Sequence, residues 1–200
     1  SGVEIAGAVA EMKKNIIARD YPDLDSSQMH IYLVNAVDRL LSAMDPVSSK
    51  RAERDLKELH VHIRQPQFAT EYKDGILKTS AGLEIPTQTV IWVSGICANT
   101  VEGFPAESIG HAGRFLTDRF CRVKGVKDVY AIGDVSLVEG DEEYPLGHPQ
   151  LAQVAMQQAK TVAKNFKAMS KGKELKPFKY KNLGVMATIG RNHAVAEISG

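Results

Sequence analysis

The apolar positions fall into short blocks with two different periods. From Ser1 to Met12 they recur at helical spacing: Val3, Ala6, Gly7 and Ala10 form a face of small residues, with Ile5, Val9 and Met12 beside it. This predicts a helix from the first residue, packed close against a sheet. Residues 15 to 28 hold charges, Pro22 and the cluster Asp25-Ser26-Ser27, and read as a loop. Met29-His30-Ile31-Tyr32-Leu33-Val34 is a β-branched and aromatic run, read as a buried strand. Asp45-Pro46 puts an N-cap before a proline at the first helical position, and that helix runs to about Leu59. Val61-His62-Ile63 is the next strand. Strand, helix and strand in this order make a βαβ unit, so the fold class expected is α/β with a parallel sheet.

The pattern changes after Phe68. Phe68 to Tyr72, a Lys73-Asp74-Gly75 turn, Ile76 to Thr79 and then Ala81-Gly82 suggest an antiparallel meander. Thr89-Val90-Ile91-Trp92-Val93 reads as a buried strand ending at Ser94-Gly95. Residues 98 to 113 are glycine-rich and loop-like, and 114 to 128 are mixed. Val129-Tyr130-Ala131-Ile132 reads as a strand running into Gly133-Asp134, and Gly140-Asp141-Glu142-Glu143 as an exposed acidic loop. A long helix is expected from about Pro149 to Met169, followed by a pair of strands around Gly190 between Phe178 and Ile198. There is no internal repeat.

Composition narrows the chemistry. In 200 residues, 25 basic and 24 acidic side chains leave a net charge of +1, which argues against nucleic-acid binding by bulk charge. The two cysteines, Cys97 and Cys121, form no C-x-x-C, so a disulfide scaffold, a zinc ribbon and a dithiol centre lack their ligands. No apolar run approaches the ~20 residues of a membrane span, and no signal segment opens the chain. A soluble protein of a reducing compartment is expected. The six histidines have no metal spacing, so no metal site is expected, and no serine sits in a nucleophile elbow.

Five places carry candidate chemistry. Ser1-Gly2-Val3-Glu4 resembles the end of a G-x-G-x-x-G loop, with Gly2 as its third glycine, though the helix also stands as a plain small-faced helix. The residue closing the second strand, where an acidic side chain binds ribose hydroxyls, is Asn35; it leaves NADH against NADPH open. Gly133-Asp134 puts a carboxylate at the carboxyl edge of a sheet, or is simply a turn. Gln153 and Gln157 share a helix face, and spacing alone favours a surface role. The lysines of the helix tail, Lys160, Lys164, Lys167, Lys171, Lys173 and Lys176, usually mean a solvated face, with anionic lipid as the sharper alternative.

In order along the chain, Gly2-Val3-Glu4-Ile5-Ala6-Gly7, Ile91-Trp92-Val93-Ser94-Gly95, Val129 to Asp134, Ala152 to Gln157 and Gly184 to Gly190 together resemble the type II NADH dehydrogenases, the FAD-dependent NADH:quinone oxidoreductases. The resemblance implies part of a Rossmann-like flavoprotein with two dinucleotide-binding domains, carrying an antiparallel meander and lacking the N-terminal half of the FAD domain. Residues 1–95 then correspond to the NADH-binding domain without its first strand, and 96–200 to the returning part of the FAD domain. It places Gly2 and Glu4 at the nicotinamide nucleotide, with Glu4 near the flavin, and Gly95 at the NADH crossing strand. Gly133 and Asp134 fall at the FAD ribityl and phosphate region, Leu151 and Ala152 before the isoalloxazine, and Gln153 and Gln157 at the quinone side.

The implied chemistry is hydride transfer from NADH to FAD and electron transfer onward to a membrane quinone, with no acid–base dyad. Glu4, Gln153 and Gln157 are its candidate catalytic residues, and Asn35 joins the cofactor-binding set. The implied setting is cytoplasmic, on the inner face of the cell membrane, through segments outside this chain, and as a homodimer. A helix that opens the chain with no strand before it fits a fragment, and a sheet missing its central strand is expected to need a second copy, a strand shift or a companion segment. The 200-residue chain alone is therefore expected to be inactive. Two alternatives stay open: a reductase of the same architecture serving a ferredoxin or small-molecule acceptor, and a non-catalytic α/β interaction module.

Overall fold

A computed structural model of the chain describes residues 1–99 and 101–198. Helix α1 spans Gly2–Met12 and buries Val3, Ala6, Gly7 and Ala10, the small face expected from the sequence. Helical winding does not stop there. It continues through a wide turn at Lys13–Ile17 into a last turn, α2, at Ala18–Asp20. Residues 15–20 of the expected loop are therefore helical, because Lys13 to Asp20 holds no helix breaker and Pro22 is the first residue to forbid continuation.

Strand β1 (Ile31–Val34) pairs in parallel with β2 (Val61–Arg64), joined by α3 (Pro46–Glu58). The Asp45 carboxylate accepts the Val47 N–H at 2.9 Å, the N-cap bond that Asp-Pro announced. The antiparallel meander follows as β3 (Ala69–Lys73), β4 (Ile76–Thr79) and β5 (Glu84–Pro86). Its first turn needs positive φ at both central residues, and Asp74 (51°) and Gly75 (75°) supply it.

Thr89–Val93 is not a strand. Trp92 is 68% exposed and Ile91 53%, and no strand pairs with them among the described residues. A β-branched run makes a strand only where a neighbour completes its ladder.

The chain divides into two compact units, Ser1–Ser94 with the described residues from Gly184 onward, and Gly95–Leu183. The closing hairpin thus clusters with residues 1–94.

The second unit contains little regular structure. Strands β6 (Phe115–Thr117) and β7 (Ser136–Val138) are parallel and three residues each, and α4 covers Ala152–Met169. The expected strand at Val129–Ile132 makes only one bridge, Tyr130 to Arg122. Gly133 ends it by turning to φ 73° and opening a 3₁₀ turn through Val135. Its apolar centres are small: Cys121, Val138, Val154, Val162 and Phe178 in one, Phe115, Val123 and Ala131 in the other.

The hairpin of β8 (Val185–Ile189) and β9 (His193–Glu197) belongs to the first unit, where β8 meets α1 and β9 meets α3. Ala187, Ile189 and Val195 complete a core with Val3, Ala6, Ala10, Leu40, Met44, Ala52, Leu56 and Val61. Gly7 permits the approach: a Cβ there would collide with the Gly190 backbone nitrogen. Glu197 also clips the hairpin to α3 by accepting the Asp45 N–H at 2.7 Å.

Candidate functional site

In the first unit, candidate chemistry gathers at the carboxyl end of β1. The start of α1 lies against Leu33, whose Cδ1 would stand 3.3 Å from a Cβ on Gly2. The absence of a side chain at Gly2 therefore lets the helix start lie close to the strand. Ser1 makes no side-chain cap to the first N–H groups of α1. Glu4 lies in this first turn, its side chain 42% exposed. Two residues beyond Leu33, Asn35 is stitched into its own loop. Its side-chain nitrogen donates to the carbonyls of Val37 at 2.8 Å and Arg39 at 3.4 Å, and its backbone bridges to Arg64 and Gln67.

In the second unit the Gly133-Asp134 turn is held from α4. The Gly133 N–H donates to Gln158 Oε1 at 2.6 Å, and Gln150 donates to the Asp134 carbonyl at 3.0 Å. A Cβ on Gly133 would lie 3.2 Å from that of Ala155. The Asp134 carboxylate remains exposed. Leu151 caps α4 with backbone only, so Ala152 and Gln153 begin a helix with no side-chain cap. A glycine at positive φ and an exposed Asp134 are thus held beside the N-terminal half of α4. Gly95, at φ 104°, has no described atom within 4 Å of where a Cβ would sit.

The glutamines turn out differently from a plain surface pair. Gln157 donates to the Lys181 carbonyl and accepts the Lys181 N–H, each at 2.9 Å, and Gln153 accepts the Leu183 N–H at 3.0 Å. Asn165 repeats the double clasp on Lys176. These amides bind the extended segment 176–183 along α4 as a neighbouring strand would.

Several residues that matter were not found from sequence. Gln158 falls on the same face as Val154 and Val162, so a polar residue inside an apolar stripe was its signal. Arg114, also buried, donates to the carbonyls of Ser136 and His148. His148 is 2% exposed, and its Nε2 lies 3.2 Å from Asp141, which Arg119 approaches at 3.6 Å. Asp141 is thus drawn inward from the acidic loop. Burial pushes the His148 pKa below its ordinary value, against the opposing pull of Asp141 and with the help of Arg114 and Arg119. Burial also lowers Arg114 and pushes the Cys121 thiol up to about 12. Cys121 is consequently no nucleophile, and Cys97 is not disulfide-bonded to it. Among the described residues, no group of three or more His, Cys, Asp or Glu side chains is placed to hold a metal.

Residues 1–159 match the family described as pyridine nucleotide-disulphide oxidoreductase. The chain belongs to this family. Within it, the chain is 31% identical over 99% of its length to the type II NADH:quinone oxidoreductase NdhA of Mycobacterium tuberculosis. It is 28% identical over its full length to the type II NADH:quinone oxidoreductase of Haemophilus influenzae. The alignments cover 43% and 45% of those relatives, so the chain spans less than half their length. Among solved structures, an NDH2 from Plasmodium falciparum in complex with NADH matches with a TM-score of 0.85, covering 98% of this chain and 55% of that one at 15% identity. A ferredoxin reductase from Rhodopseudomonas palustris matches 77% of this chain and 38% of its own, with a TM-score of 0.62 and 21% identity. The fold is therefore the α/β flavoprotein fold of NDH2. Despite the family's title, the two cysteines of this chain, Cys97 and Cys121, form no disulfide.

Proposed function

We propose that the chain provides the NADH-binding half and the returning part of the FAD site of a type II NADH:quinone oxidoreductase. The observation that carries this reading is the Gly133-Asp134 turn, pinned by Gln158 beside the uncapped start of α4. FAD, when bound, supplies the chemistry: it takes a hydride from NADH and passes electrons to a quinone. The residues of this chain bind and orient. The Asp134 carboxylate accepts from ribityl hydroxyls, and Gly133 keeps the wall free of a side chain. The start of α4 at Leu151 and Ala152 presents the positive end of the helix to the electron-rich end of the ring system.

Toward NADH, the start of α1 at Gly2 takes the pyrophosphate, with Glu4 beside the nicotinamide. Asn35 serves the ribose through its side-chain oxygen, since its nitrogen is spent on Val37 and Arg39. Gly95 lies on the NADH crossing segment. Gln153 and Gln157 belong to the quinone side as the residues that hold its 181–183 wall in place. The same reading makes residues 1–95 and 96–200 the two functional portions, and the working protein a homodimer at the cytoplasmic face of the membrane.

FAD titration followed by absorbance and flavin fluorescence tests this directly, on the chain and on the complete reading frame containing it. Asp134→Asn should weaken binding roughly 10- to 100-fold, the worth of a charge-assisted hydrogen bond. A protein that leaves the FAD spectrum unchanged and oxidises no NADH in the presence of a soluble quinone defeats the reading. Reduction of a ferredoxin in place of the quinone would move it to the sister class of reductases.

A further inference from the structure

His148 is buried just ahead of α4, and the chemistry described above gives it no role. Its ring is enclosed by Tyr144, Phe178 and Tyr180, at 4.8, 5.1 and 5.7 Å between centroids, the last two edge-on. The Asp141 carboxylate accepts only, so the neutral ring carries its proton on Nε2 and donates it at 3.2 Å. Asp141 is steadied by Arg119, whose Nη2 also donates to the Phe178 carbonyl at 3.3 Å. His148 Nδ1, by contrast, finds no hydrogen-bond partner among the described residues. A phenylalanine would fill the same enclosure without leaving a buried nitrogen unpaired, so packing alone does not account for a histidine here.

The backbone shows what this anchor holds. The His148 carbonyl accepts from Arg114 Nη2 at 3.3 Å. The same nitrogen donates to the carbonyl of Ser136, the residue that follows the Gly133–Val135 turn. Pro149 comes next, its φ fixed by its ring. Gln150 then donates to the Asp134 carbonyl at 3.0 Å, and α4 begins at Ala152. A buried ring, a guanidinium bridging two carbonyls, a proline and an amide thus form a short stiff lever. One end is set by Asp141 and the aromatic enclosure; the other is the start of α4 beside Asp134.

We propose that His148 is a positioning residue for the flavin. Its anchorage to Asp141, with Arg114 tying its carbonyl to Ser136, sets the start of α4 against the Gly133-Asp134 turn. This rests on the FAD reading above, in which the positive end of α4 faces the electron-rich end of the ring system. The field of a helix end fades within a turn, so a displaced helix start stabilises reduced FAD less.

Two measurements on His148→Phe, which keeps a ring in the enclosure and removes the bond to Asp141, test it. On the 200-residue chain without FAD, amide hydrogen exchange in 133–136 and 150–156 should quicken about tenfold, with the meander at 69–79 unchanged. On the complete reading frame saturated with FAD, the preference for reduced over oxidised FAD should fall about tenfold, a potential lower by about 30 mV. NADH affinity should stay the same. Asp141→Asn should move both readouts less, because its amide oxygen still accepts from Nε2. Faster exchange spread over the whole of 95–183 with an unchanged potential would make His148 a packing residue and overturn the proposal. So would an unchanged potential with local exchange, or no change in either. Wild-type protein that binds no FAD defeats the FAD reading itself, whereas wild type that binds FAD beside an unaltered variant defeats only this proposal.

Discussion

Both units bury large apolar side chains, Leu56 and Ile189 in the first and Phe178 in the second. The second buries polar ones more often: Arg114, Thr117, Ser136, His148, Gln158 and Asn165, against Ser49, Asp55 and Thr79 in the first. In the first, α1, α3 and the β8–β9 hairpin each present one apolar face to a shared core, and parallel and antiparallel ladders use up the backbone donors. In the second, six strand residues and one long helix are all that is regular beyond short turns. The intervening chain hangs on side chains: Gln158 on Gly133, Gln157 and Asn165 on the trailing segment, Arg114 on two carbonyls, and Thr117 against Ser136 at 3.0 Å. Apolar packing is forgiving in partner and angle, while a buried polar clip works only with its own partner. The unit proposed to shape a flavin site is therefore the one whose backbone is positioned by specific polar contacts.

The sharpest way to break this comparison is to empty the apolar core. Leu56→Ala should cost about 2–5 kcal/mol, read as an earlier urea transition for the first unit, with the tryptic pattern of residues 95–183 unchanged. A smaller loss follows from Gln158→Leu, which keeps volume but leaves the buried Gly133 N–H without an acceptor. About 1–3 kcal/mol is expected, together with weaker FAD retention; an unchanged midpoint would show that the clip is dispensable. Gln157→Ala removes two bonds at an exposed place where water can substitute, so about 1 kcal/mol is expected. Faster trypsin cleavage at Lys179 and Lys181 is its more sensitive readout.

Acid gives the finest distinction. Burial on folding lowers the proton affinity of His148, so the unfolded chain binds the proton more readily, and stability rises with pH through this range. The contribution is fully present above the ordinary histidine value of about 6.5 and is lost as pH falls below it. Denaturation of the second unit should therefore steepen in mild acid, and His148→Asn should flatten that dependence. A wild-type profile already flat between pH 7 and 5 would remove His148 from the account.

Local rules reached far in the first unit. The small face of α1, the Asp45-Pro46 start of α3, the βαβ order and the Asp74-Gly75 turn each depend on neighbours in sequence, and each was legible there. Resemblance, resting on five ordered segments, supplied the family. What stayed hidden depended on distant partners. Thr89–Val93 has strand composition, but a strand is a property of a pair. The hairpin from Gly184 joins the first unit because Gly7 lets Gly190 approach, two glycines 183 positions apart in sequence. Gln153 and Gln157 look like a solvent-facing pair until the segment they clasp is folded against them. Periodicity thus determined which faces are apolar, because that follows from the geometry of one helix or strand. Which polar group satisfies which backbone was decided only by the tertiary structure, since a hydrogen bond depends on two positions meeting and neither records the other.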